Sequence, residues 1–288
     1  EGPGAWVLPT TFPEDFTLAY LSVKTPVEDG QEMTVLGQKM QFFTRYGSDD
    51  KVHTTVWLPE RKILFTTLRW SSPPQLYSVR GDVFRDPREW IAGLKCNRNL
   101  EPEVLISAAA RPVVGKEEIR TRLEGYLDGA SFVLDQTLRG ILGGKGQDYL
   151  RHLVRLPDYL NEVPKNLKNY CEISSYPPAI YYQALGWYDN DAAHLAPVAP
   201  LDEARRIVPL MGGRDSVLAA AEEAMKKKEY SWAAQLVNYL YRLDPTDAEA
   251  RTIKAAALRQ MVGYFVGAHT EFGGDYDQLF AAYQVVFR

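Results

Sequence analysis

The sequence predicts an α+β chain in which a β-rich region comes first and an all-helical region follows. Three observations predict it. From about Phe16 to Ala109 the apolar residues alternate or run in short β-branched blocks. After Gly115 the apolar period changes to 3.6 residues. The last clearly marked segments, Tyr230 to Leu243 and Asp247 to about Met261, form a helical pair around Asp244-Pro245-Thr246.

Taken in order, residues 1–15 are rich in Gly and Pro and read as an extended arm. Phe16 to Val23 is β-rich, and Thr34 to Phe43 reads as a hairpin turning near Gly37. Val52 to Leu58 alternates, Pro59-Glu60-Arg61-Lys62 turns, and Ile63 to Leu68 returns. A single helix interrupts the strands over 87–97. Asp86 is its cap, Pro87 opens the first turn, and Glu89 completes a capping box. Val104 to Ser107 is a short apolar strand. Beyond Gly115, Ile119, Leu123, Tyr126 and Leu127 share one face of a long helix, and helices follow at 146–156, 176–187, 201–212 and 214–227. The final pair carries small residues, Ala233, Ala234, Ala250 and Ala255 to Ala257, at its packing faces and resembles one tetratricopeptide-type hairpin. The expected divisions are 1–115, 116–262 and a tail over 263–288.

Composition excludes several classes. Of the 288 residues, 45% are hydrophobic and 24% charged, with a net charge of −4. No basic patch marks a nucleic-acid surface. Cys96 and Cys171 are too few for a disulfide scaffold or a thiolate zinc site. No apolar stretch approaches the roughly 18 residues of a transmembrane helix, and no signal-peptide core opens the chain. A soluble protein, cytoplasmic or periplasmic, is the expectation.

Several stretches together resemble the alkyl sulfatases of the metallo-β-lactamase superfamily. They are Leu76 to Gly81 followed by Arg85 to Trp90, Asp135 to Arg139, Leu153 to Pro157, Ile180 to Asp189, Ala193 to Pro197 and Met211-Gly212-Gly213. The match is good from about Gln75 to Leu258, looser from Asp29 to Trp70, and fails at both ends. The resemblance implies the C-terminal half of a metallo-β-lactamase-like αββα sandwich followed by an α-helical dimerisation domain. In the family a His-x-His-x-Asp-His loop takes two zinc ions. The four histidines of this chain, His53, His152, His194 and His269, are not spaced that way.

The resemblance also places the remaining ligands. Asp49 falls nearest one family glutamate, Thr67 stands where a second would be, and Ala109-Ala110 replace a histidine pair. Alanine offers no lone pair, and zinc needs three or four N, O or S ligands. Asp49 is the one residual metal candidate, so this chain alone is expected to hold no zinc. Arg80 matches an arginine that resembles a sulfate-binding group, and Tyr170 matches a tyrosine at the entry of the helix carrying Tyr181 and Trp187. The family's Ser-His-Asn turn reads Ser174-Ser175-Tyr176, and a serine cannot exchange protons near neutral pH.

Plainer readings stand beside these. Arg80 reads equally as a structural partner of a carboxylate. His53 and His152 read as satisfied histidines, and Gly143 to Gly146 as an inter-helical turn. The cluster Tyr181, Tyr182, Trp187 and Tyr188 reads as core, and Asp135 with Glu172 is a carboxylate pair only if the fold joins them. The function expected is a pseudoenzyme: an alkyl-sulfatase-like subunit without its own zinc site. It would be the structural partner of a complementary metallo-β-lactamase N-terminal half, or a homodimer through 116–262. The alternative is half of a split metallo-hydrolase of sulfuric esters, with zinc held by residues of a separate chain. A stand-alone binding module using the helical hairpin is the third reading.

Overall fold

The computed structural model describes residues 24–48, 51, 53–68, 84–107, 110–162 and 173–266, without the side chains of 110 and 262–266. The expected strand at 16–23 and the Gly/Pro-rich arm lie outside these residues. By compactness the described chain forms two units, residues 24–190 and residues 191–266.

The first unit contains a six-stranded sheet in the order of the sequence: β1 Glu32–Val35, β2 Gln38–Phe43, β3 Thr55–Leu58, β4 Ile63–Thr66, β5 Val104–Ser107 and β6 Ala110–Val114. β1 and β2 meet at Val35 and Gln38, leaving a two-residue turn. Leu36 and Gly37 both have positive φ there, which suits the right-handed twist of a hairpin. β4 and β5 pair in parallel, so a crossover must join them; it contains helix α1, Pro87–Asn99. The strand β6 is not among the strands expected from the sequence. Ala110 to Val114 pairs antiparallel with β5, and Pro112 falls at the irregularity in register between Leu105 and Ser107, where a missing N–H is tolerated.

The cap of α1 also differs in detail from a capping box. The Asp86 carboxylate accepts from the Arg88 backbone N–H and is gripped by the Arg88 guanidinium. Burial pushes this carboxyl up, but the Arg88 hydrogen bonds outweigh it and leave it below its ordinary value.

One side of the sheet is covered. Trp57, Leu64, Leu105 and Val113 join a core with Trp90, Ile91 and Leu94 of α1 and with Ile119, Leu123, Tyr126 and Leu127 of α2, Lys116–Leu142. The four α2 residues expected to share a face are indeed buried. Contacts of this kind join α2 to the sheet across the sequence position 115/116. Gly93 lets α1 come close: a Cβ there would stand 2.2 Å from Leu68 Cδ1 and 3.1 Å from Tyr46 Cβ.

The other side of the sheet is different. The pairings Phe42–Val56, Val56–Phe65 and Phe65–Ile106 align one apolar row across four strands. A second row runs Ile63–Val104–Val114 on the same side. None of these residues joins the core cluster, Phe65 is 39% exposed, and Val114 is more exposed still.

The unit continues with α3 Gln147–Leu153, α4 Asp158–Asn161 and α5 Tyr176–Leu185. The helix expected at 146–156 thus ends early, because Val154 is already extended ahead of Pro157. Gly143 to Gly146 is the turn between α2 and α3, with Gly144 at positive φ.

The second unit holds α6 Pro200–Leu210, α7 Arg214–Lys226, α8 Tyr230–Leu243 and α9 Ala248–Val266. Val208, Val217, Leu218, Ala221, Leu236, Val237, Leu240 and Ala250 form its core. Ala224, Ala233 and Ala257, all buried, let α7, α8 and α9 pack closely, as in a tetratricopeptide-like hairpin. The Arg214 guanidinium spans to both Asp247 oxygens at 2.7 and 2.9 Å and to Glu249 at 2.7 Å, tying the start of α7 to that of α9.

Candidate functional site

The expected site residues Asp49, Arg80, Tyr170 and Ala109 lie outside the described residues, as do Glu172 and His269. Thr67 is described, and it stands just past the end of β4. There the ladder of β3 and β4 extends by one backbone bond, Thr67 N–H to Thr54 O at 3.2 Å. The extension brings Thr67 Oγ1 to 3.1 Å from the Thr54 N–H, which donates to it.

His53, just ahead of β3, lies against this pair. Its Nδ1 is 3.1 Å from Thr67 Oγ1, and its Nε2 is 2.8 Å from Ser48 Oγ. Ser48 and His53 are both buried. Alongside them Thr55 Oγ1 and Thr66 Oγ1 are 2.8 Å apart, and Thr66 Oγ1 accepts from the Leu68 N–H and from Asn97 Nδ2. Two short polar chains therefore seal the open end of the β3–β4 hairpin. Buried polar groups so paired fix one arrangement of the chain, because any alternative leaves them desolvated and unmet.

This corner is where the resemblance puts metal ligands, and the donors described there are hydroxyls and one imidazole. Thr67 offers a neutral hydroxyl that is already engaged by Thr54 and His53. Both nitrogens of His53 are engaged by hydroxyls, so neither is directed at a cation. Among the described residues no group of three or more His, Cys, Asp or Glu converges as a metal site. His53 is thus a histidine with partners, Ser48 five residues before it and Thr67 14 residues after it, which the fold brings together.

Nearby, Asp29 Oδ1 accepts from the Thr44 and Arg45 backbone N–H groups. Tyr46, beside Cys96, has the Arg45 guanidinium 5.0 Å from its ring centre. Burial raises the Cys96 thiol above its usual range, so it is a poor thiolate nucleophile.

The aromatic cluster at the end of α5 divides. Tyr181 is buried, and its hydroxyl donates to the Tyr188 carbonyl at 2.7 Å and accepts from Asn190 Nδ2 at 3.3 Å. Tyr182 and Trp187 are exposed, contrary to the core reading of the whole cluster. Ser175, at the position of the family's histidine, begins α5 without a side-chain cap bond. Asp135 lies on α2.

Comparison with known proteins places this architecture. Residues 147–269 match the alkyl sulfatase dimerisation family. The chain is 34% identical over 239 residues to a linear primary-alkylsulfatase of a Pseudomonas species, a match covering 82% of this chain and 45% of that protein. It is 31% identical over 252 residues to an alkyl/aryl-sulfatase of Saccharomyces cerevisiae, covering 86% of this chain and 38% of that one. Among solved structures, the stereoselective inverting sec-alkylsulfatase Pisa1 of a Pseudomonas species superposes with a TM-score of 0.74 at 28% identity, over 88% of this chain and 40% of Pisa1. The chain spans less than half the length of each of these relatives. The sheet followed by a helical region is the fold class expected from the sequence, and the chain is similar to part of the alkylsulfatases, with a match to their dimerisation domain over residues 147–269.

Proposed function

We propose that this chain serves as an alkylsulfatase-like subunit that holds no zinc site of its own and works by association. In this reading it supplies the helical dimerisation region and half of a layered domain. A complementary metallo-β-lactamase N-terminal half, in a separate chain or in a longer form of this one, supplies the other layer. The observation that carries the reading is the second side of the sheet, where Phe42, Val56, Phe65 and Ile106 line up outside the described core, Phe65 exposed and the other three half-buried. A twisted sheet with an apolar second side needs a second layer, since soluble proteins seldom leave a patch beyond a few hundred Å² bare. The engaged state of Thr67 and His53 supports the absence of a local zinc site.

The test measures zinc content and alkyl sulfate hydrolysis of the purified chain, alone and co-expressed with a complementary N-terminal half. The reading expects no stoichiometric zinc and no turnover from the chain alone, and a stable complex with the N-terminal half. Two zinc ions per chain, or chelator-sensitive hydrolysis by the chain alone, overturns it. Hydrolysis that appears only in the complex and is lost on replacing Asp49 or Arg80 selects the split metallo-hydrolase instead.

A further inference from the structure

The dimerisation match takes in the end of the first unit and the whole described second unit, without saying which surface meets the second copy. The geometry points to one surface, on α3, α5 and the loop that follows α5, as the self-association face. This rests on the proposed homodimer through the helical region and names its contact. Three observations carry it.

The first is what lies exposed. Tyr149 and Leu153 stand one turn apart on α3, and Tyr182 and Leu185 one turn apart on α5. All four are exposed, Tyr149 at 69%, and Trp187 just beyond α5 is exposed at 59%. Leu142, at the end of α2, adds an almost bare side chain beside the turn into α3.

The second is that the exposure is built and rigid. The inner side of α3 is anchored by Leu150, which is fully buried and fills the space over Gly140. The loop bearing Trp187 is tied down at both ends. The Tyr181 hydroxyl donates to the Tyr188 carbonyl, and Asn190 donates to Tyr181. The Asp189 carbonyl lies against Gly146, at the start of α3, where a Cβ would come within 2.5 Å. Trp187 and Tyr149 are therefore presented on adjoining, fixed elements. Aromatic side chains carried on packed elements bind without a large cost in ordering.

The third is area. If each of these six side chains gives up roughly 100 Å², one copy contributes about 600 Å², close to the roughly 800 Å² per partner of a stable interface. All but Leu142 fall within the matched dimerisation region, residues 147–269. An isologous contact across a twofold axis requires only that this patch meet itself.

The experiment is sedimentation velocity over a concentration series of the full chain, with three variants. Tyr149→Ser combined with Trp187→Ser removes both anchors, Trp232→Ser alters an exposed aromatic of the other unit, and Phe65→Ser alters the open side of the sheet. The expected result is a dimer whose Kd rises at least about 100-fold in the double variant, as loss of two aromatic anchors implies, with little change in the other two. Circular dichroism of the double variant is expected to match the unaltered chain, because both residues are exposed. A dimer that survives in the double variant, or that is broken by Trp232→Ser or Phe65→Ser instead, overturns this surface while keeping the homodimer. A chain that is monomeric without any substitution overturns the homodimer itself.

Discussion

Leu64 and Phe65 are neighbours in β4 and point to opposite sides of the sheet, so they report separately on its two layers. Leu64 is fully buried in the core under α1 and α2, and Phe65 is 39% exposed and outside that core. Replacing Leu64 by Ala removes three buried carbons from a packed site, at a cost of about 2–5 kcal/mol. Replacing Phe65 by Ala in the chain alone forfeits only partial burial and some strand propensity, about 1 kcal/mol. In the presence of a second layer Phe65 becomes a core residue, and the same substitution then costs about 3–5 kcal/mol of association. Urea unfolding of both variants gives the first comparison, and titration of the N-terminal half against each gives the second. A Phe65→Ala loss in the lone chain as large as that of Leu64→Ala would mean that this side is already packed, and the argument for a missing layer would fail.

Two further outcomes follow from the polar contacts. His53→Ala opens a void beside buried Ser48 and removes the ring that bridges it to exposed Thr67, and is expected to cost about 2–4 kcal/mol in urea unfolding, against about 1 kcal/mol for Thr67→Val; equal small effects would show that the ring does not bridge the hairpin. Hydrogen bonding from Arg214 holds the Asp247 carboxyl below its ordinary value. A depressed folded value means its contribution is present above the unfolded aspartate pKa of about 3.9 and fades as pH falls through the folded one. Helicity of the unit at residues 191–266 should therefore decline below about pH 4, with Asp247→Asn less stable near neutrality and less acid-sensitive, and an unchanged acid profile would refute the link.

The elements that sequence reasoning places well are those whose signal is local. The Leu36-Gly37 turn, the α1 start at Asp86-Pro87 and the long run of α2 each follow from residues within one or two turns of one another. The strand β6 escaped because its evidence is not local. Ala110 to Val114 has no clear alternation and contains Pro112, and it becomes a strand by pairing with β5. The early end of α3 escaped because apolar residues continue to Leu156 in a helical spacing while Pro157 biases the preceding backbone to extended form. Division of the chain by period alone puts a boundary at 115/116, yet Ile119 and Leu123 of α2 share a core with Leu64 and Leu105 of the sheet. Period describes a helix and not the neighbour it packs on.

The resemblance offers the site as a set of replacements and carries nothing of its structure. That Thr67 stands in place of a carboxylate is what the resemblance implies, but its hydrogen bonds cannot be read so, because they depend on His53 and Thr54 arriving from the segment ahead of β3, with Ser48 against His53. The same holds for the aromatic cluster, where Tyr181 and Tyr182 are adjacent and similar in polarity. One turns inward to hold the loop at Tyr188, and the other faces out. A helix rotates by about 100° per residue, so adjacent tyrosines seldom share a face. In this chain that rotation separates two roles. Tyr181 holds the loop at Tyr188 and Asn190, and the loop carries Trp187, so an inward hydroxyl bears on the geometry of an outward surface. Tyr181→Phe, which keeps the ring in the core and removes only the hydroxyl, is accordingly expected to weaken self-association without unfolding α5. If the Kd stays unchanged while the fold is intact, the loop holds its place without Tyr181 and the coupling between core and surface does not exist.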